Sequence, residues 1–105
     1  MKIYSVVFTP EAQQQLIALY RYIAQAAAPT VAERYTSAIA TYCETLCKSP
    51  HRGTRRDDIR PGLRVTHYKG RAVIAFAVGE SQVTVIGIYY GGLDYESLLQ
   101  DGLDA

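Results

Sequence analysis

The residues with the clearest chemistry are arginines and tyrosines in the second half of the chain. Five arginines and two tyrosines stand in or beside a run of predicted strands: Arg55, Arg56, Arg60, Arg64, Arg71, Tyr89 and Tyr90. A guanidinium group binds phosphate or carboxylate through paired hydrogen bonds, and it stacks on aromatic rings. Arginine and tyrosine are also common at the energetic centres of protein interfaces. We therefore predict that these seven residues contact a target, and their spacing leaves both a nucleic acid and a protein open.

Groups that could transfer protons are few. The two histidines are His51 and His67, and His67 should share a strand face with Leu63 as a half-buried structural residue. Asp57 and Asp58 lie among arginines, where carboxylates mostly balance charge or cap turns. The sequence contains no phosphate-binding glycine loop, no Gly-x-Ser-x-Gly and no His-Glu-x-x-His motif. We therefore predict no catalytic residue, no metal site and no cofactor.

Positive charge is concentrated in one segment of the chain. Residues 48–71 contain eight basic and two acidic residues, a formal charge of +6, whereas the rest carries −5 and the whole chain +1. One end of the molecule should therefore attract an acidic partner. A solvated surface with local ion pairs, such as Arg56 with Asp58, would have the same composition.

Length and composition predict one globular domain over residues 1–105. The chain has 105 residues, of which 49% are hydrophobic and 20% charged, enough for a single core. Cys43 and Cys47 stand four apart on a predicted helix, where neither a disulfide nor a zinc site is favoured, so we expect buried thiols. Because we find no secretory signal and no apolar stretch of ~20 residues, we expect a cytoplasmic protein without membrane contact.

The first half of the chain predicts a strand followed by two helices. Residues 3–8 are rich in β-branched and aromatic side chains, and residues 11–25 repeat apolar side chains at helical spacing. Thr9 should cap this helix, and a capping-box pattern from Thr30 to Glu33 should open the next one. The short connection between the helices predicts an antiparallel helical hairpin.

The second half predicts three strands at residues 63–68, 72–78 and 83–90. Their short connections permit only an antiparallel meander. The middle strand is apolar on both faces, so we expect the helical hairpin to cover one face and leave the other open, with Arg64 on the open side. Residues 93–99 should add one helical turn and residues 100–105 a frayed tail. The predicted fold is α+β, a helical hairpin packed on a small antiparallel sheet in the order β-α-α-β-β-β.

With this layout the chain resembles the RelE/ParE superfamily of type II toxins. The segments that carry the resemblance are Leu19–Ala24, Leu46–Pro50, Gly53–Ile59, Gly62–Arg64, Val73–Phe76 and Val85–Asp94. The resemblance runs nearly end to end along the chain, with these segments in the order and at the spacing of the family. The resemblance implies a toxin that a cognate antitoxin neutralises.

Two activities occur in this superfamily. RelE-like members are ribosome-dependent ribonucleases, and the resemblance places their basic positions near Thr66, Val73 and Leu93, none of which is basic here. The long helical hairpin resembles that of ParE-type toxins, which poison DNA gyrase by binding. The resemblance therefore implies a ParE-like toxin that is not an enzyme. A RelE-like mRNA interferase and a non-toxic, complex-forming relative are the alternatives.

The partners expected from the resemblance are an antitoxin and DNA gyrase, without sequence-specific DNA binding by this chain. An extended antitoxin segment that folds along the hairpin and the open face of the sheet would silence the toxin. Its expected contacts are Tyr20, Tyr35, Val73 and Ala75.

Overall fold

The computed structural model describes residues 2–92 and 94–104, so that predictions for Leu93 and Ala105 fall outside it. Its elements are, in chain order, β1 (Ser5–Phe8), α1 (Pro10–Ala26), α2 (Pro29–Glu44), one 3₁₀ turn (Thr45–Cys47), β2 (Thr54–Arg55), β3 (Leu63–Tyr68), β4 (Ala72–Val78), β5 (Gln82–Tyr90) and α3 (Tyr95–Asp104). The strands form one sheet in the order β1-β5-β4-β3-β2. The predicted α+β architecture, with its helical hairpin of α1 and α2, is confirmed.

The sheet departs from the predicted antiparallel one in two respects. β1 runs parallel to β5, in a register that pairs Ser5 with Gln82. This direction lets the chain pass from β1 straight into α1, which returns over the sheet and packs on β5. In addition, β2 forms between the helical hairpin and the three predicted strands, where the sequence analysis gave no strand, and it pairs with β3. Two residues are too few to show a periodicity in the sequence.

The two helices of the hairpin begin differently. Thr9 caps α1 as predicted, because its hydroxyl accepts a hydrogen bond of 3.1 Å from the backbone N–H of Ala12. The predicted capping box at Thr30 is wrong. Pro29 already occupies the first turn of α2, and Ala28 is the N-cap without a side-chain bond. Proline is favoured at this position because its fixed φ suits a helix and its missing N–H would have no helical partner.

The main core lies between the hairpin and one face of the sheet. Its largest fully buried side chains are Phe76, Ile39, Leu46, Ile74, Val83, Val85 and Cys43. The predicted burial of Cys43 is confirmed, and burial raises the pKa of its thiol to about 12. Across the described part of the chain, no helix is long and apolar enough to span a bilayer.

A second core fills the other face of the sheet, which we expected to be open. It consists of Ile59, Leu63, Val65, Ala75, Tyr89 and Leu99, with Val73, Ile86 and Tyr95 packed against it. Ala75 has no exposed surface, so the predicted open face is wrong at this residue. The cause is α3, which continues to Asp104 and so extends beyond the single turn and into the segment predicted to be frayed.

The strand β3 faces the opposite way from our expectation. Leu63 and Val65 point to the second core, so Arg64 lies on the side of the hairpin. His67 shares the face of Leu63 as predicted but is exposed rather than half-buried. The second core covers β3 only as far as Val65. Apolar alternation identifies which residues of a strand are buried together, but it does not say which cover they face.

Truncating a side chain in the main core should destabilise the protein strongly. Ile39 is fully buried under the sheet, so Ile39→Ala should lower the free energy of unfolding by about 2–5 kcal/mol. Ile17→Ala makes the same change at a side chain that is 44% exposed on the neighbouring helix, and it should cost less than about 1 kcal/mol. Urea denaturation followed by circular dichroism measures both values. Equal losses for the two variants would contradict this packing.

Candidate functional site

Arg56 joins the basic loop, which we define as residues 51–61, to α3. Its guanidinium donates hydrogen bonds to both carboxylate oxygens of Asp58 at 2.9 and 2.8 Å, to Glu96, and to Tyr95 Oη at 3.2 Å. The ion pair with Asp58, one of the two alternatives left open by composition, is therefore present. The hydrogen bonds to Asp58 and Glu96 raise the pKa of Arg56, and the bond from Arg56 lowers that of Asp58. Arg56 is thus a structural link between two segments.

Arg55 and Asp57 hold the loop where it turns into β3. Asp57 accepts a hydrogen bond of 2.9 Å from the backbone N–H of Gly62, and Arg55 Nε lies 3.0 Å from its other oxygen. These two contacts, the backbone bond first, lower the pKa of Asp57. The Arg55 side chain remains 67% exposed on the edge strand β2. It is therefore accessible to a partner.

Arg64 anchors the start of the same loop. Its guanidinium donates to the backbone carbonyl oxygens of His51, Arg52 and Gly53, with Nε 3.1 Å from the oxygen of Arg52. Gly53 has φ of +80°, and a Cβ at this position would overlap the carbonyl oxygen of Val65. The loop can therefore approach β3 closely only with glycine here. Nε and Nη2 of Arg64 are thus engaged within the protein, and the predicted contact of Arg64 with a target stays a prediction.

Arg60 borders a cavity of about 550 Å³ on the second face of the sheet. The lining is mainly apolar, with contributions from Ile86 and Leu99, and it carries Glu11 and Gln15 from α1. Arg60 is exposed at this place. Of the five predicted arginines, Arg55 and Arg60 are thus the exposed pair in the basic loop.

Tyr89 and Tyr90 are separated by the sheet, although they are adjacent in sequence. Tyr89 is only 6% exposed, lies in the second core and has its ring 6.3 Å from that of Tyr95. Burial raises the pKa of Tyr89. Tyr90 points to the hairpin side, where it packs against the main core. The two side chains therefore cannot act as one contact.

Tyr90 belongs to a row of five tyrosines at the end of the sheet where β3 turns into β4. We call this row the tyrosine rim; it consists of Tyr22, Tyr90, Tyr35, Tyr68 and Tyr42, in spatial order. Successive ring centroids are 6.5, 5.6, 6.1 and 5.1 Å apart, and the rings are tilted or edge-on to one another. Helices α1 and α2 supply three of the rings and strands β3 and β5 the other two.

Three cations border the tyrosine rim. Arg52 lies over the ring of Tyr42 at 5.0 Å, and Lys69 Nζ lies 5.6 Å from the centroid of Tyr68. Arg71 is exposed at the start of β4, near enough to Tyr35 to influence its ionisation. The structure thus brings together Arg71, Tyr90 and Tyr35, which the sequence analysis had divided between target and antitoxin.

Tyr20 lies elsewhere on the hairpin. It is 37% exposed at a groove of about 600 Å³ between α1 and α2, together with Phe8, Leu16 and Ile17. Tyr35 and Tyr20 therefore belong to different surfaces. Their predicted contact with an antitoxin stays a prediction.

The positions linked by resemblance to ribonuclease activity do not converge. Thr66 is 6% exposed on the hairpin side, with its hydroxyl 3.1 Å from that of Tyr42. Val73 lies on the opposite face, and Leu93 is outside the described residues. Within the described residues, no cluster of three or more histidine, cysteine or carboxylate side chains could hold a metal ion.

The sequence analysis missed Tyr22, Tyr42, Tyr68, Arg52 and Lys69 as members of one surface. They come from four separate segments, so no spacing along the chain connects them. The available signal was composition, because the chain has nine tyrosines and no tryptophan. The two-residue turn between β3 and β4 was also partly visible in the sequence as Lys69-Gly70. In the structure these residues have φ of 52° and 70°, as a type I′ hairpin turn requires.

Comparison with known proteins identifies relatives of this chain. The family model described as the ParE toxin of the type II toxin–antitoxin system parDE matches residues 6–95. The fold is similar to a structure of the chromosomal ParDE toxin–antitoxin system from P. aeruginosa, with a TM-score of 0.74, 20% identity, and coverage of 84% of this chain and 96% of that one. It is also similar to the RelBE2 toxin–antitoxin complex from Mycobacterium tuberculosis, with a TM-score of 0.64, 20% identity, and coverage of 87% and 94%. A search of curated proteins found no significant match.

Weakening the Arg56 link should loosen α3 without unfolding the hairpin. Arg56→Lys keeps the charge but loses the planar fork that reaches Asp58, Glu96 and Tyr95 at once. We expect faster amide hydrogen exchange over residues 95–100 and unchanged exchange in α1. Arg34→Lys, at an exposed position of α2, is the matched control and should change neither. Faster exchange throughout the protein would contradict a local role for Arg56.

The Asp58 carboxylate should stabilise the protein only above acidic pH. Its pKa is lowered in the folded state, so the stabilisation is present above the ordinary carboxyl pKa of about 3.9 and is lost as pH falls through the lowered value. Asp58→Asn should therefore be less stable than the wild type at pH 7, and the difference should shrink towards pH 2. Urea midpoints across this range measure it, with Glu33→Gln as an exposed control. A difference that stays constant with pH would argue against the ion pair.

Proposed function

Since this chain belongs to the ParE toxin family of type II toxin–antitoxin systems, we propose that it stops growth by binding DNA gyrase and poisoning it, without being an enzyme itself. A cognate antitoxin holds it inactive until the toxin is released. Both partners place its action in the cytoplasm. The observation that carries the proposal is the family match over residues 6–95, which spans the hairpin, the basic loop and all of the sheet except Ser5.

The distribution of side chains supports binding rather than catalysis. Cleavage of RNA by its own 2′-hydroxyl needs an acid–base group and several cationic donors around one phosphate. Thr66 and Val73 stand where the resemblance places basic residues of RelE-like members, and they face opposite sides of the sheet. His51 and His67 are exposed and lie on separate elements. A cleavage site assembled from these residues would lack both requirements.

Arg56 and Arg64 are poorer candidates for the gyrase contact than the exposed arginines of the loop. Arg56 donates hydrogen bonds to carboxylates of this chain, and Arg64 donates through Nε and Nη2 to backbone carbonyl groups. Arg55 and Arg60 are exposed, and Arg60 stands beside the cavity on the second face. We therefore assign the contact with gyrase to the basic loop, with Arg55 and Arg60 as its charged residues. Exposed interface charges of this kind mainly steer association and set its salt dependence.

The antitoxin is supported by the two structural neighbours, because each was solved as part of a toxin–antitoxin system. The second face of the sheet is a poor place for it in the free toxin, since α3 already covers Ala75. The hairpin side offers more accessible apolar surface, including Tyr20 and Ile17 at the groove between the helices. An extended segment that folds on binding is suited to such a surface.

Induction of the chain alone, and then with its antitoxin, tests this function. We expect growth arrest, filamentous cells, a DNA-damage response and intact mRNA, and we expect the antitoxin to restore growth. With purified gyrase and supercoiled plasmid, the protein should cause linear DNA to accumulate. Transcripts cut on ribosomes would instead establish an mRNA interferase, and normal growth would establish a non-toxic relative.

Charge reversal in the basic loop tests the assigned contact. The variant with Arg55→Glu and Arg60→Glu should need at least about tenfold more protein to give the same amount of linear DNA, because it repels an acidic or DNA-bound target. As a control, Arg34→Glu reverses one charge at an exposed position of α2, and this variant should behave as the wild type. Equal activity of all three proteins would remove the basic loop from the gyrase contact.

A further inference from the structure

We propose that the tyrosine rim, with Lys69 and Arg71, is the docking surface for a short, extended, acidic segment of the antitoxin. The inference rests on the proposed function for the existence of this partner. It adds the place and the chemistry of the contact. The surface lies on the hairpin side at the β3–β4 turn, whereas Arg55 pairs with Arg64, four strand positions from Tyr68.

The positive charge beside the tyrosine rim favours a negatively charged ligand. Among the described side chains, ion pairs form at Arg55 and Arg56 but not at Lys69, Arg71 or Arg52. Lys69 lies at the tip of the β3–β4 turn with φ of 52°, and Arg71 is exposed just beyond it. The two cations and the neighbouring tyrosine hydroxyl groups can all donate hydrogen bonds. Carboxylate groups accept such bonds, so an acidic ligand fits this surface.

The packing of the rings favours a peptide over a nucleic acid. Single-stranded nucleic acids bind by stacking bases on free aromatic faces. In the tyrosine rim, Tyr35 meets Tyr90 and Tyr68 edge-on, with interplanar angles of 76° and 61°, so that the central rings do not form a row of parallel faces on which successive bases could stack. The hydroxyl of Tyr42 already bonds that of Thr66, and those of the other rim tyrosines remain for hydrogen bonds with a chain laid across them. Tyr22, at the end of the row, is 62% exposed and can pack against an apolar side chain.

The hydroxyl of Tyr35 gives the rim an unused donor. Tyr35 Oη is buried and makes no hydrogen bond with any described group. Burial, together with the nearby hydroxyls of Tyr90 and Tyr68, raises the pKa of Tyr35 and keeps its proton in place. Leaving a buried polar group unpaired is unfavourable, and most such groups in proteins have a partner. A carboxylate or carbonyl group of the antitoxin would supply it after a small displacement of the neighbouring rings.

The length of the rim sets the length of the segment. The four distances between successive ring centroids, 6.5, 5.6, 6.1 and 5.1 Å, together correspond to at most roughly seven residues of extended chain at ~3.3 Å per residue. Such a short segment binds tightly only when it is tethered to further contacts. The groove at Tyr20, on the same hairpin, can provide them.

Affinity measurements with the purified, co-encoded antitoxin test the docking surface. Lys69→Glu with Arg71→Glu should weaken antitoxin binding at least about tenfold and reduce its salt dependence. Arg55→Glu is the control, because Arg55 lies opposite Arg64, four strand positions or ~13 Å from Tyr68. This variant should leave the affinity for the antitoxin unchanged. Tyr35→Phe should weaken binding about threefold to tenfold while the free protein becomes no less stable.

The outcomes separate this inference from the proposed function. If the antitoxin binds the wild type and all variants equally, the docking surface is wrong and the toxin assignment stands. If the charge-reversed variant loses affinity for a 12-residue oligothymidine but not for the antitoxin, the tyrosine rim is a nucleic-acid surface and the inference is overturned. If the antitoxin does not bind and induction leaves growth normal, the proposed function and the docking surface both fail. Growth arrest by the Lys69→Glu, Arg71→Glu variant that the antitoxin no longer relieves would support both.

Discussion

Burial of both faces of β4 is the constraint on which the rest of the structure depends. The strand lies in the sheet interior, and its apolar side chains alternate between the two sides, with Phe76 on one and Ala75 on the other. This chain forms one helical hairpin, and the hairpin covers only one face of the sheet. The second cover is α3, which Arg56 ties to the basic loop. The protein is therefore a sheet between two unequal layers, one large and one small.

The same requirement divides the positive charge. Formal charge predicts one continuous basic end, but Arg56 is used to hold α3 and Arg64 to hold the loop beside β3. Of the exposed cations in residues 51–71, Arg55 and Arg60 lie in the basic loop, whereas Lys69 and Arg71 lie beside the β3–β4 turn. Two separated basic surfaces suit a toxin that must bind a target and be recognised by an antitoxin. A bulk charge of +6 over residues 48–71 does not reveal this division.

The limits of the site prediction follow from how side chains meet. Residue types were informative: tyrosines with neighbouring arginines form the tyrosine rim and its border, and the pair of Arg56 and Asp58 stands two residues apart. The sequence did not show which of these side chains meet in space. Adjacent residues of a strand point to opposite faces, and Tyr89 and Tyr90 therefore belong to different cores. Conversely, Tyr22 and Tyr90 are distant in sequence and adjacent in space. Only the packing of the helices on the sheet brings them together.

The sequence alone determined β1, the helical hairpin and the three strands of the meander, because helix and strand periodicity, the Thr9 cap and short turns depend on near neighbours in the chain. Their order also sufficed for the α+β layout and for the resemblance to a toxin family. Tertiary structure decided what these elements face: the parallel placement of β1, the direction of β3, and the covering of the second face by α3. Such choices arise from competition among distant segments for the same apolar surface. That competition leaves no periodic pattern in the chain.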